Sequence, residues 1–390
     1  MRTTYPTTQA AETQKSPSPQ SPAPESEPVE LSMKQNPSDK LLVGLDLGTN
    51  STCVKAASPG GSDLLVDQII PTIVGYAKEG IVPNLLPGNA KVLYGQSAMK
   101  NRLYLRMVPP LRDGIIEDMA AAQDFARHLG QLINAPAGTE VRAVVGVPAS
   151  ANRSAHEAIA ATFSGVFQKM ILIPEPFLAA LGYREESRLG DPTYQDPVRN
   201  SLFVDIGAGT TDVCLVQGYF PTAEDQVSAS FAGDDVDNLL HDAIRKQYPD
   251  VNLSLVRIRE IKEEHSRVGT VDATVFVNVV VAGKMRKLEL GAAIESACAQ
   301  LLQNVFDLVK TAIARVSSES AAELLQNIIL TGGGSRINSM DTELQRLLAE
   351  EGFEKPRVLT VGENYKDYVS KGALVAARQA KQNQWQPLGV

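Results

Sequence analysis

Much is scarce in this 390-residue chain, and each scarcity narrows what it does. Only three cysteines occur, Cys53, Cys214 and Cys298. They are far apart, odd in number and set in apolar or helical runs, so they read as reduced core thiols of a cytoplasmic protein. The four histidines, His128, His156, His241 and His265, share no metal-ligand spacing with one another or with a cysteine. There is no basic stripe: 37 Lys and Arg against 45 Asp and Glu leave a net charge of -8 and a pI near 5.2. That balance argues against direct nucleic-acid binding and against charge-driven attachment to anionic lipid, so any such contact needs an adaptor protein. Direct membrane insertion is not expected. Gly-x-Gly-x-x-Gly, a ribose-binding acid at dinucleotide spacing and a Walker lysine are all missing. There is no short-period repeat.

What is present supports a large core. The chain is 43% hydrophobic and 21% charged, enough for a soluble protein of two domains. Residues 1–38 differ from the rest. They are rich in Pro, Ser, Thr, Gln and Glu and poor in large apolar residues, and are expected to be a disordered tail, serving as a spacer or partner-binding arm or simply tolerated. The tail has neither a signal-peptide core nor the length of a membrane span, and is too acidic for a transit peptide.

From Lys40 onward strands and helices alternate in an α/β pattern. Strand-like runs include Leu41 to Leu45, Cys53 to Ala56, Val141 to Val147, Ser201 to Val204, Val213 to Val216 and Asn327 to Leu330. The alternation Val275-Val277-Val279-Val281 predicts a strand ending in a turn at Ala282-Gly283-Lys284. Amphipathic helices are predicted over Ala155 to Val166, Val236 to Gln247 and Ile294 to Val316.

Two loops of one design stand out, Asp46-Leu47-Gly48-Thr49-Asn50-Ser51-Thr52 and Asp205-Ile206-Gly207-Ala208-Gly209-Thr210-Thr211-Asp212, each between two apolar runs. Glycines there let successive backbone N–H groups converge on phosphate oxygens, and Thr and Ser hydroxyls add donors. An acid beside such a cradle would repel a bare polyphosphate, which makes sense if Asp46 and Asp205 hold Mg²⁺, largely through its waters. A single Asp-x-Gly turn is common in ordinary hairpins. Two, in the two halves of the chain, point to one nucleotide between two similar domains. A third glycine-rich turn, Thr331-Gly332-Gly333-Gly334-Ser335, follows the Ile328 to Leu330 run.

In order, these motifs resemble those of the actin superfamily of ATP-binding proteins, over nearly everything after the tail. The Asp46 and Asp205 loops are similar to its two phosphate motifs, and Thr331 to Ser335 to its adenosine motif. Ile173 to Tyr183 and Lys371 to Ala377 are similar to its two connecting helices, the interdomain hinge. Arg259 to Glu264 is similar to the helix whose Lys-Glu pair contacts adenine and ribose, which nominates Lys262 and Glu263; unaided, that helix reads as a solvated face. Pro71 to Tyr76, Tyr94 to Ala98 and Pro110 to Asp118 follow the order of filament-forming bacterial actins of the MreB and MamK type, and Asp205 to Gln226 and Gln384 to Gly389 lean to the magnetosome branch.

The resemblance implies an actin-like, ribonuclease H-like duplicated α/β fold with four subdomains and an interdomain nucleotide cleft. Domain I would span 39–184 with a small subdomain at about 66–111, domain II 185–364 with one at about 233–290, and 365–390 would return to domain I. It further implies an ATPase with ATP or ADP and Mg²⁺ as ligands and a homopolymeric, cytoplasmic filament that organises organelles, possibly magnetosome chains, through adaptor proteins; an MreB-like cell-shape filament is the alternative. The implied nucleotide ligands are Asp46, Gly48, Thr49, Asn50, Gly207, Ala208, Gly209, Thr210, Thr211, Lys262, Glu263, Gly332, Gly333, Gly334 and Ser335. Asp46 and Asp205 would hold the metal, and Glu175 and Asp205 would serve hydrolysis, with Glu157 a weaker candidate. A sugar or acetate kinase shares the same core. A chaperone of that core would need a peptide-binding domain, for which about a dozen residues remain after Ala377.

Overall fold

A computed structural model describes residues 40–269 and 274–388; the tail expected over 1–38 lies outside the described residues. Two mixed sheets organise these residues. The first has six strands in the order Gln386–Pro387, Lys169–Pro174, Glu140–Val147, Lys40–Leu47, Ser51–Ala57, Val66–Pro71. The second has five, Gln226–Ala229, Thr211–Val216, Ser201–Ile206, Ile328–Thr331, Val358–Thr360.

The same unit recurs in both. Lys40–Leu47 turns back on Ser51–Ala57 with Asp46 opposite Cys53, and Ser201–Ile206 turns back on Thr211–Val216 with Asp205 opposite Asp212. On its other edge each hairpin pairs in parallel with a later strand, Glu140–Val147 or Ile328–Thr331. The central strands are buried along nearly their whole length, as their continuous apolar runs require.

Two helices, Glu175–Tyr183 and Tyr365–Gln379, pack between the sheets. Their core joins Leu42 and Val144 of the first sheet to Phe203, Cys214 and Ile329 of the second. They approach so closely that a Cβ on Gly372 would collide with the Leu178 carbonyl, and one on Gly182 with the Tyr368 carbonyl. Small residues at the crossing thus set the joint between the halves. Ile173 and Pro174, expected within the first of these helices, instead end the strand Lys169–Pro174, because proline fixes φ and lacks the N–H a helix interior needs.

A small three-stranded sheet, Val74–Ala77, Val92–Tyr94 and Leu105–Val108, has its own core of Leu86, Leu93, Ala98 and Leu105. It is narrower than the 66–111 unit expected: Val66–Pro71 pairs with Ser51–Ala57 and belongs to the six-stranded sheet. On the second half, the helices Gly233–Gln247 and Leu255–His265 precede a hairpin of Phe276–Val281 and Lys284–Glu289, whose turn places Ala282 and Gly283 at positive φ. The 23-residue helix Gly291–Ile313 follows. All three cysteines are buried and unpaired.

Candidate functional site

The two Asp-headed loops face one cavity of about 350 Å³, with the third glycine loop and the starts of both central helices along its wall. Local chemistry fixes each loop. In the first, a Cβ on Gly48 would lie 2.8 Å from the Ser51 carbonyl, too close for any other residue. Thr72 ties this loop down: its hydroxyl donates to the Gly48 carbonyl at 2.7 Å and its N–H to the Asn50 carbonyl at 3.1 Å. In the second, the Gly207 N–H donates to the Thr210 carbonyl at 2.9 Å. Gly233 and Asp234, opening the next helix, donate N–H groups to the carbonyls of Gly207 and Ala208 at 3.1 and 2.7 Å. The third loop lies flat on the second: Cβ atoms on Gly332 or Gly334 would run into Asp205 or Ile206.

Most of the expected residues converge here. Asp46, Gly48, Thr49, Asn50, Glu175, Asp205, Gly207, Ala208, Gly209, Thr210, Lys262, Glu263, Gly332, Gly333 and Gly334 line the cavity. Three do not. Thr211 is buried in its strand and its hydroxyl donates to the Phe231 carbonyl at 2.8 Å, because strand alternation turns it away from the loop. Ser335 is spent holding the third loop, donating to the Gly332 carbonyl at 2.7 Å. Glu157 is exposed and pairs with Arg153 one helical turn away at 2.8 Å. Both Thr211 and Ser335 are therefore supports rather than lining, and Glu157 is a surface residue.

Sequence reasoning missed Arg259 as a lining residue. It holds Asp234 at 2.8 Å and Asp237 at 3.0 Å, and reaches Asn50 Oδ1 of the first loop at 2.8 Å. The Arg-x-x-Lys spacing on a helix, one face at i and i+3, was the available signal. Lys262 on that face donates to the Gly233 carbonyl at 2.7 Å and pairs with Asp237 at 2.8 Å, bracing the second loop. The turn at Asp113–Gly114 was missed as well: Asp113 has positive φ and fills the space beside Gly209 across the cleft.

Electrostatically the site is unbalanced. Among the described residues no lysine or arginine pairs with Asp46, Asp205 or Glu175. Burial pushes Asp46 up to about 7. Burial, then the Asp46 and Asp212 charges, push Asp205 up to about 8. Glu175, first residue of its helix, is raised well above its ordinary value by burial and then by Asp46, Asp205 and Asp212. Asp212 accepts hydrogen bonds from the Ala149 N–H at 3.0 Å and the Ser228 hydroxyl at 2.6 Å. Thr331 adds a buried hydroxyl without a hydrogen-bond partner on the cavity wall. A set of neighbouring carboxylates with no lysine or arginine partner among the described residues, beside a spare hydroxyl and glycine loops, fits a hard divalent ion with a polyphosphate.

With this geometry in hand, comparison with known proteins is decisive: the family described as MreB/Mbl protein matches residues 40–383. The chain belongs to the MreB/Mbl family. Within it, the chain is similar to the actin-like protein MamK of Paramagnetospirillum magneticum, 31% identical over 90% of this chain and 96% of that protein. Similarity to the cell shape-determining protein Mbl of Bacillus subtilis is 26%, over 85% and 93%. Among solved structures the chain matches a MamK double helical filament with a TM-score of 0.78 at 29% identity, over 88% of this chain and all of that one. It matches MreB5 of Spiroplasma citri bound to ADP with a TM-score of 0.71 at 20% identity, covering 89% of this chain and 99% of that one, a likeness of fold. The actin-like fold is thus established for this MreB/Mbl member, and the cleft between its two sheets is where its glycine loops meet.

Proposed function

We propose that this chain is a polymerising ATPase of the MamK type, which binds ATP between the Asp46 and Asp205 loops and hydrolyses it as its filaments age. The observation that carries the reading is the pair of Asp-headed loops facing one cavity whose carboxylates pair with no lysine or arginine among the described residues. On this reading residues 39–184 and 185–364 are the two actin-like halves, and the segment from 365 returns to the first.

The loops' N–H groups and the Thr49 hydroxyl grip phosphate oxygens, while the Thr210 hydroxyl donates to Asp212 and holds its loop. Lys262 and Glu263, which line the cavity, would face adenine and ribose. Asp46 and Asp205 would hold Mg²⁺, which neutralises phosphate charge. Glu175 lines the cavity at the start of its helix, where its carboxylate, once a bound cation relieves the crowding of neighbouring acids that keeps it protonated, would accept a hydrogen bond from the attacking water and take its proton. The protein's part in such a transfer is positioning and charge stabilisation. Hydrolysis then acts as a timer: altered contacts at the loops change how the two halves sit about the Gly182–Gly372 crossing, and so how well subunits pack.

Relatives named for filaments and for binding AMPPNP support the reading. The higher identity to MamK than to Mbl favours a cytoplasmic filament that orders magnetosome vesicles, through adaptor proteins, over a cell-shape filament. Pelleting and negative-stain microscopy across protein concentrations, with phosphate release in the same samples, test it. Filaments above a threshold, with phosphate release rising alongside, are expected with Mg-ATP. Soluble chain hydrolysing ATP in simple proportion to concentration would overturn it in favour of a small-molecule kinase.

A further inference from the structure

The strand Ile328–Thr331 is buried at every position, and its first three residues are apolar. Thr331, only 1% exposed, ends it with a hydroxyl where the equally β-branched valine would fill the same space without one. A buried hydroxyl that gives up water without gaining a partner costs stability. Neighbouring hydroxyls are spent within the protein, Thr72 on the Gly48 carbonyl, Thr211 on the Phe231 carbonyl and Ser335 on the Gly332 carbonyl. Among the described residues, Thr331 Oγ1 is the one buried side-chain oxygen or nitrogen on the cavity wall without a hydrogen-bond partner.

The fold puts this hydroxyl beside the acids of the site. Thr331 pairs with Asp205 across two parallel strands, the last rung of their ladder. Residues in register on adjacent strands project to the same face, with the strands about 4.8 Å apart. The Asp205 carboxylate lies against Gly332, the residue after Thr331, where a Cβ would strike its Oδ1. Thr331 and Asp205 line the cavity together with Asp46 and Glu175.

A hard divalent ion among carboxylates keeps several of its waters, and each of those waters needs acceptors for its protons. A hydroxyl can accept such a bond and still donate its own proton, which an ionised carboxylate cannot do. We propose that Thr331 is a positioning residue for the metal: its hydroxyl accepts a hydrogen bond from a water of the ion's shell beside Asp205 and so helps to fix the ion between the two Asp-headed loops. This rests on the nucleotide and metal reading proposed above and adds to it a group from the strand that carries the third glycine loop. Loss of a residue that orients a metal's ligands without touching the metal typically costs about 10–100-fold in metal affinity.

The test follows the melting temperature of the full chain with ADP, first in EDTA and then across a Mg²⁺ titration, for wild type, Thr331→Val and Thr331→Ser. ADP keeps hydrolysis out of the readout. In EDTA, Thr331→Val is expected to melt at or above the wild-type temperature, since a partnerless hydroxyl gives way to a methyl group of the same shape. The Mg²⁺ concentration that gives half the rise is expected to be about 10–100-fold higher in Thr331→Val and close to wild type in Thr331→Ser. Should Thr331→Val fail to fold, Thr331→Ala carries the same comparison. Equal midpoints in wild type and Thr331→Val overturn the role of Thr331 alone. A Thr331→Ser midpoint as weak as that of Thr331→Val also overturns it, by assigning the effect to packing. A melting temperature lowered by the same amount at every Mg²⁺ concentration would make the hydroxyl a structural group and overturns it too. Wild type with no Mg²⁺-dependent rise overturns the metal reading at Asp46 and Asp205, and the part of Thr331 with it.

Discussion

Arg259 on the helix Leu255–His265 donates to Asn50 Oδ1 in the first glycine loop at 2.8 Å, so a single side chain bridges the cleft between parts of the chain 209 residues apart. Its other nitrogens stay on Asp234 and Asp237, which fixes the arm and leaves its tip as a direct link between the two nucleotide-facing walls. Because both partners line the cavity, a bound nucleotide and this bridge share one space.

Arg259→Ala should therefore loosen the cleft. A hydrogen bond to a charged group contributes about 1.5–3 kcal/mol, so nucleotide release should quicken by about tenfold or more. Stopped-flow displacement of a fluorescent ATP analogue measures this; an unchanged release rate would show that the bridge does not hold the cleft.

Glu175→Ala should separate assembly from turnover. The loops and their anchors, Thr72 and Lys262, are untouched, so Mg-ATP should still be bound and polymer should form. Loss of a positioned base slows the chemical step by about 10²–10⁴-fold. Single-turnover phosphate release is the check, and wild-type rates in the variant would remove Glu175 from the mechanism.

Gly372→Ala should weaken the joint between the halves, since the added methyl collides with the Leu178 carbonyl, a backbone atom that cannot swing away. Overpacking of this kind costs about 1–3 kcal/mol. A fall of several degrees in melting temperature is expected by calorimetry, and an unshifted transition would mean that the helices part without cost.

His128 gives the small sheet's contact with the helix Met119–Ile133 a pH dependence. It stacks on Tyr94 with ring centroids 4.4 Å apart, and burial holds its pKa below the ordinary value near 6.5. A base whose folded pKa is depressed contributes stability above its unfolded value, and that stability is lost as pH falls through the folded value. Melting temperature should thus decline below about pH 6.5, and His128→Phe, which keeps the stack without the titration, should flatten that limb. Equal slopes in the two proteins would exclude His128 as the source.

Legibility followed the range of the interactions. The hairpins around Asp46 and Asp205 were readable because glycine, acid and hydroxyl positions in a tight turn are local demands. Lys262 and Glu263 were nominated only through family resemblance, since a charged helix face carries no local sign of what it confronts. Thr211 and Ser335 were misplaced for a related reason. Each belongs to the right motif, but strand alternation and a loop-closing hydrogen bond turn it inward, and composition does not reveal which hydroxyl a turn will spend on itself.

The sequence alone determined the alternation of strands and helices, the duplicated acidic loops, the reduced cysteines and the small residues of the central helices, because each depends on neighbours a few positions away. Tertiary structure alone decided that Arg259 meets Asn50, that Asp113 sits beside Gly209, that Val66–Pro71 joins the larger sheet, and that burial raises Asp46, Asp205 and Glu175 together. Those facts come from bringing distant segments into a low-dielectric cleft, where charge and shape act across space and leave no period or spacing in the chain.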